Sequence, residues 1–229
     1  MSDPSFESPI NKLPGAVVLL CVAMIGVEAG LSFAEAGIIG GPGAIGWRLG
    51  LVRDFGFSGE IFDAMWDTGR WSVDHLLRFV TYPFIHLSFS HSIFAIVLTL
   101  ALGKMVAEVM GQAVMLAVWL LSGVIGAFFY ALLLNDPVWL AGAYPNAYGL
   151  IGAYSYVMWR TLGAAGEQQL RAFSLIAMLM GLQLIWSLFA SIGNGWVADL
   201  AGFFGGFAMC FLLAPGEWRR IVARLRQRG

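Results

Sequence analysis

GAYPNAYGLIGAY, residues 142–154, is the stretch on which the reading of this chain turns. It carries no charge, and its small residues, Gly149 and Gly152 among them, let another helix approach closely. Pro145 suits the beginning of a helix, where a missing backbone N–H costs nothing. The apolar run continues past Tyr154, so the stretch reads as the start of a helix built for packing inside a membrane.

The rest of the chain supports that setting. Of 229 residues, 59% are hydrophobic and 12% charged, and the mean hydropathy is +0.77. A soluble domain carries about 25% charged residues. A spanning helix needs roughly 20 mostly apolar residues, and six segments meet that need, at about 15–37, 79–103, 112–134, 144–163, 170–191 and 195–214. The expectation is an all-α membrane protein: a segment 1–14, one six-helix domain over 15–214, and a tail 215–229. The polar start, MSDPSFESPINKLP, and the long first apolar stretch lack a cleavage pattern, so that stretch is expected to remain as the first helix. Cys21 and Cys210 both fall inside predicted spans and read as small core residues rather than a disulfide pair.

Lys and Arg in the loops set the orientation. With the N-terminus inside, Lys12, Lys104, Arg160, Arg171 and the tail arginines 219, 220, 224, 226 and 228 lie on the inner side. Arg48, Arg53, Arg70 and Arg78 lie outside, and six spans return the C-terminus to the cytoplasmic face. The tail EWRRIVARLRQRG spaces Trp218, Ile221, Val222 and Leu225 at helical intervals. It reads either as a basic amphipathic helix on the anionic inner leaflet or as a plain topology-setting tail. Short loops and the absence of an organelle-targeting pattern point to a bacterial inner membrane.

One loop is long, about 38–78. Forty structureless residues would be unusual, and Trp47, Phe55, Phe57, Phe62, Trp66 and Trp71 alternate there with charges. Short helices in the outer leaflet are one expectation. A lid packed on the other spans is the other.

Ionisable groups within spans are functional candidates. His86 and His91 are five residues apart, about 140° round a helix, so they do not form an i,i+4 metal pair; no third ligand is in view, and neither a metal nor a cofactor is expected. They read as hydrogen-bonded core groups or as site residues. Glu28 is roughly 20 Å into the first span and must face protein or a water-filled space, whereas Glu35 is near the outer edge. Asp199 opens the last span, followed by Gly202 and Gly206 at helix-packing spacing.

These motifs, taken in order, resemble the rhomboid family of six-helix intramembrane serine proteases. LLRFVTYPFIHLSFSH resembles the passage from the family's first loop into its second helix, with Arg78 at the arginine of a Trp-Arg pair and Leu77 in place of the tryptophan. His86 and His91 match the two second-helix histidines, and LGKMVAEVMG the following turn, with Glu108 at its acidic position. LLSGVIGAFFY resembles the third helix, GAYPNAYGLIGAY the fourth and DLAGFFGG the sixth. The resemblance implies that the serine nucleophile's position is Tyr144, with Pro145 at the following glycine. It places Asp199 at the catalytic histidine and Ala95 at an asparagine that helps bind the oxyanion.

Acyl transfer needs a nucleophile and a base within hydrogen-bond reach, with donors aimed at the developing charge. Tyr144 is a poor replacement for serine, and an aspartate is a weak base at neutral pH. Ser122 lies in the third helix, and Ser155 is about 16 Å along the fourth; Ser88, Ser90 and Ser92 flank the histidines. A catalytically inactive rhomboid homologue, a pseudoprotease, is therefore expected. Tyr144 and Asp199 are expected to face each other, with the phenol donating to Asp199 or with His91 or His86 pairing with Asp199. Asn146, with Pro145 and Glu28, is a further candidate for the cavity.

The resemblance also implies a lateral opening between the second and fifth helices. The fifth span, AFSLIAMLMGLQLIWSLFASIG, is rich in Leu and Met, with Gln183 its one strongly polar mid-span group. It reads as ordinary packing or as a gate whose adaptable Met surface admits a client helix. The implied partners are the bilayer, transmembrane clients whose degradation, assembly or trafficking is regulated, and a membrane-anchored ATP-driven protease; no nucleic acid is expected. A divergent active protease is the alternative, and passage of a small solute or lipid a weaker one.

Overall fold

A computed structural model describes residues 12–134, 136–187 and 193–213; the expected N-terminal segment, apart from residues 12–14, and the basic tail lie outside them. Nine α-helices are present among the described residues: α1 (Gly15–Glu35), α2 (Trp47–Phe55), α3 (Gly59–Thr68), α4 (Val73–Thr81), α5 (Phe89–Met110), α6 (Gln112–Leu133), α7 (Tyr144–Ala164), α8 (Ser174–Ser187) and α9 (Trp196–Leu213). Four of them, α1, α5, α6 and α9, are long and apolar enough to cross a bilayer.

α7 is as long as these, but Pro145, Asn146 and four tyrosines make it less apolar. Its position explains why. It packs on α5, α6, α8 and α9, and residues Pro145 to Ala153 are all buried. A helix surrounded by protein has no need of a lipid-facing surface, so polar groups with partners are tolerated there. α1 packs on α5 and α6 with Val17, Cys21 and Met24 buried on one side and Leu19, Val22 and Ile25 exposed on the other.

The helix preceding α5 departs from the expected span at 79–103. The chain makes α4, then a 3₁₀ turn at Tyr82–Phe84, and begins α5 only at Phe89. Pro83 interrupts the helix, and Ser88 restarts it by accepting a hydrogen bond from the His91 N–H at 3.2 Å. Gly111, at φ 92, separates α5 from α6 by a single residue, a conformation that favours glycine. α8 likewise starts at Ser174, after a 3₁₀ turn at Gln169–Phe173, rather than at 170.

The long loop is largely helical, comprising a 3₁₀ turn at Pro42–Gly46 followed by α2, α3 and α4. Ser58 caps α3, and Gly69 ends it in the left-handed conformation, φ 66. The loop packs on the bundle through a second core of Phe57, Phe62, Met65 and Tyr82 against Ala127, Tyr130 and Ala131 of α6. Phe57 and Leu140 exchange backbone hydrogen bonds of 2.9 and 2.8 Å, stitching the loop to the segment before α7. Its outward side carries Trp66, Trp71, Val73, Leu76, Leu77 and Val80, all exposed.

Candidate functional site

α7 and α9 set the frame of the site. Gly202 lies against the Pro145 carbonyl, Gly206 against the Gly149 carbonyl, and Gly152 against the Phe203 carbonyl; a Cβ at any of these would collide with backbone. Gly149 lies in the same way against the Ser122 hydroxyl of α6. This register brings Asp199, in the first turn of α9, to the end of the bundle where α7 begins. Ala143 is the N-cap of α7, Tyr144 its first residue and Pro145 its second, still within the turn whose N–H groups have no helical partner.

Tyr144 lies flat on His91: the ring centroids are 4.8 Å apart and the planes 13° from parallel. His86 meets His91 edge-on at 5.5 Å. Both imidazoles accept from backbone. Leu87 N–H donates to His91 Nδ1 at 3.3 Å, and Ala143 N–H donates to His86 Nε2 at 3.4 Å. An accepting nitrogen carries no proton, so His91 presents Nε2–H and His86 presents Nδ1–H. Gly142, at φ 98, brings the chain against both rings, and a Cβ there would sit 2.6 Å from His91 Cε1. Glycine is therefore needed at 142 for its backbone conformation and for its missing side chain alike.

Asp199 is 5% exposed. Its hydrogen bond comes not from the phenol of Tyr144 but from Gln183 Nε2 of α8, at 3.1 Å. Gln183 thus turns its amide towards α9, while Met178, Leu182 and Ile185 form the exposed side of α8. Tyr82 donates its hydroxyl to the Gly123 carbonyl at 2.8 Å rather than to Asp199.

Of the remaining candidates, Ser155 is buried in α7 with no hydrogen-bond partner for its hydroxyl, and the others are engaged elsewhere. Ala95 is fully buried in the apolar core and offers only a methyl group. Asn146 donates to the Trp119 carbonyl at 2.8 Å, facing α6. Ser122 donates to the carbonyls of Trp119 and Asn146, and Ser92 to that of Phe89. Ser88 caps α5, with Ser90 Oγ 3.2 Å from its hydroxyl. Among the described residues no serine hydroxyl is hydrogen-bonded to a histidine ring or to Asp199. No three His, Cys, Asp or Glu side chains among them converge as a metal requires.

Glu28 belongs to a separate cluster that the spacing of the sequence does not reveal. Arg48 of α2 uses all five N–H donors: two on Glu28 at 2.8 and 3.0 Å, two on Glu35 at 2.6 and 3.0 Å, and one on the His86 carbonyl at 2.8 Å. Ser32 adds a hydroxyl to Glu28 at 2.9 Å. The two carboxylates push the Arg48 guanidinium's pKa further up, so it remains charged. Arg78 has its aromatic partner too, but from a distant segment: its guanidinium lies 5.1 Å over the Trp139 ring and donates to the Arg53 carbonyl at 3.0 Å. Glu108 is 3.8 Å from Lys104, one turn earlier on α5.

A helical membrane bundle with a buried and a partly buried histidine beside a glycine-packed helix pair defines the class of protein. The rhomboid domain family model matches residues 73–216, well over half of the chain. The chain belongs to the rhomboid family. A search of curated proteins returned no match.

Proposed function

We propose that this rhomboid-family protein is a pseudoprotease, a non-catalytic membrane protein. In this reading it binds the transmembrane segments of clients and regulates their degradation, assembly or trafficking. The chain spans the membrane six times, as α1, α5, α6, α7, α8 and α9, with both termini cytoplasmic in a bacterial inner membrane and α2 to α4 at the outer interface. The observation that carries the loss of catalysis is the Tyr144–His91 stack. A flat ring fills the place where a nucleophile and a scissile carbonyl would meet, and both imidazoles have their accepting nitrogens engaged by backbone. Without an activated nucleophile, acyl transfer has no first step.

Client binding is supported by α8. It packs chiefly on α7 and the 3₁₀ turn before it, makes little contact with α5, and presents Met178, Leu182 and Ile185 outward. The test is a photoreactive residue at Leu182 in native membranes, with captured species identified by mass spectrometry. Specific single-span proteins, or a membrane-anchored ATP-driven protease, are the expected yield; lipid alone would overturn the client reading. Labelling of the purified protein by a serine-reactive covalent probe would instead favour a divergent protease.

A further inference from the structure

Gln183 makes one hydrogen bond and lacks another. Its Nε2 donates to Asp199 Oδ2, while its Oε1, shielded from solvent, has no partner. The two halves of a primary amide lie side by side. The N–H syn to the carbonyl points the same way as the carbonyl, so an amide that donates through it to one carboxyl oxygen turns its own oxygen towards the other. An ionised carboxylate accepts only and would leave that carbonyl unsatisfied. A protonated carboxyl has one O–H to give.

The charges around Asp199 point the same way. No guanidinium, ammonium or imidazolium among the described residues acts on it. The phenols Tyr144 and Tyr148 of α7 and Tyr82 of the 3₁₀ turn are neutral, and α6 meets this turn of α9 at Gly126, which lies against the Ala198 carbonyl. α5 presents His91, covered by Tyr144, with His86 behind it, both accepting from backbone and hence neutral. Arg48, which reaches the His86 carbonyl, is held by Glu28 and Glu35. A buried carboxylate with no counter-ion is far costlier than the neutral acid.

We propose that Asp199 and Gln183 form a proton-binding site, in which the carboxyl O–H donates to Gln183 Oε1 while Gln183 Nε2–H donates to Asp199 Oδ2, closing a cyclic acid–amide pair that joins α8 to α9. The ligand is a proton. The pair stands independently of client binding, and it has a consequence for chemistry: a carboxyl that already holds its proton cannot act as a general base.

Infrared spectroscopy of the full-length protein in lipid nanodiscs reads the pair directly. At pH 7 the wild type is expected to show a carbonyl-stretch band of a protonated carboxylic acid that D199N lacks. In Q183L the band moves to higher frequency, because the O–H has lost its acceptor. Carbon-13-labelled aspartate must shift the wild-type band without any substitution, which keeps the test available if D199N does not fold. Absence of an isotope-sensitive acid band at pH 7 overturns the proposal. A band unmoved in Q183L overturns the acceptor assigned to it.

Discussion

Glu28 and Asp199 are both buried carboxyls, at 4% and 5% exposure, and the chain treats them in opposite ways. Glu28 sits in a five-donor clasp with Arg48, shared with Glu35, so its charge is balanced within hydrogen-bond distance. Asp199 has a single hydrogen bond, from the Gln183 amide, and no cation paired with it among the described residues. A buried ion is stable only with its counter-ion and its hydrogen bonds complete. The first cluster meets that condition and holds α2 and the His86 carbonyl against α1. The second meets it only as a neutral acid. Removing a partner from the first should therefore be costly, and neutralising the second should not.

The largest expected effect is from Arg48→Met, which strands Glu28 and frees α2. Breaking a buried pair by deleting one member costs about 3–5 kcal/mol, read as a lowered unfolding midpoint in detergent. A loss below about 1 kcal/mol would remove the contrast between the clusters. Next comes Tyr144→Ala, which deletes the half-buried ring over His91 and should cost about 2 kcal/mol, less than a fully buried aromatic. Tyr144→Phe keeps the stack and should change stability by no more than roughly 0.5 kcal/mol. A large effect of the Phe variant would show that the hydroxyl, not the ring, holds the site together.

Asp199→Asn should change stability by no more than about 0.5 kcal/mol at neutral pH, since an amide pair replaces an acid–amide pair that is already neutral. Clear destabilisation at neutral pH would mean that the ionised carboxylate is itself required. The smallest effect is at Asp136, in the loop between α6 and α7. Val138 N–H donates to it at 2.9 Å and Asn194 Nδ2 at 2.8 Å, and these hold its carboxyl below the ordinary carboxylate range, Val138 most strongly. A lowered folded-state pKa stabilises above the unfolded value, about 3.9, and that stability is lost as pH falls through the folded value. The wild type should therefore melt slightly above Asp136→Asn at pH 6, with the gap closing in stronger acid. A gap that is flat with pH would remove this assignment.

The sequence alone carried the helical order, because long apolar runs and glycine spacing are local properties. The pattern Asp199, Gly202, Gly206 and the string from Gly142 to Tyr154 were legible for the same reason, and both lie inside the stretch the family match covers. Helix boundaries were less legible around Pro83 and Ser88, where a turn breaks a stretch that is apolar throughout. Gln183 was legible as an exception, one polar group in an apolar span, but its direction was not. A helix side chain's direction depends on how the helix is rotated against its neighbours, and α8 has apolar residues all round.

Arg48 was the least legible residue. Its partners are 13 and 20 positions away, across a loop with its own turns, and nothing local distinguishes it from Arg53 or Arg70. By itself the sequence determined that this chain is a bundle of membrane helices and that its motifs follow one another in the family's order, since both are read along the chain. Only the tertiary structure decided that Tyr144 stacks on His91, that Arg48 clasps Glu28 and that Gln183 answers Asp199. Each of these depends on two segments meeting at a particular angle and depth, which no local pattern encodes.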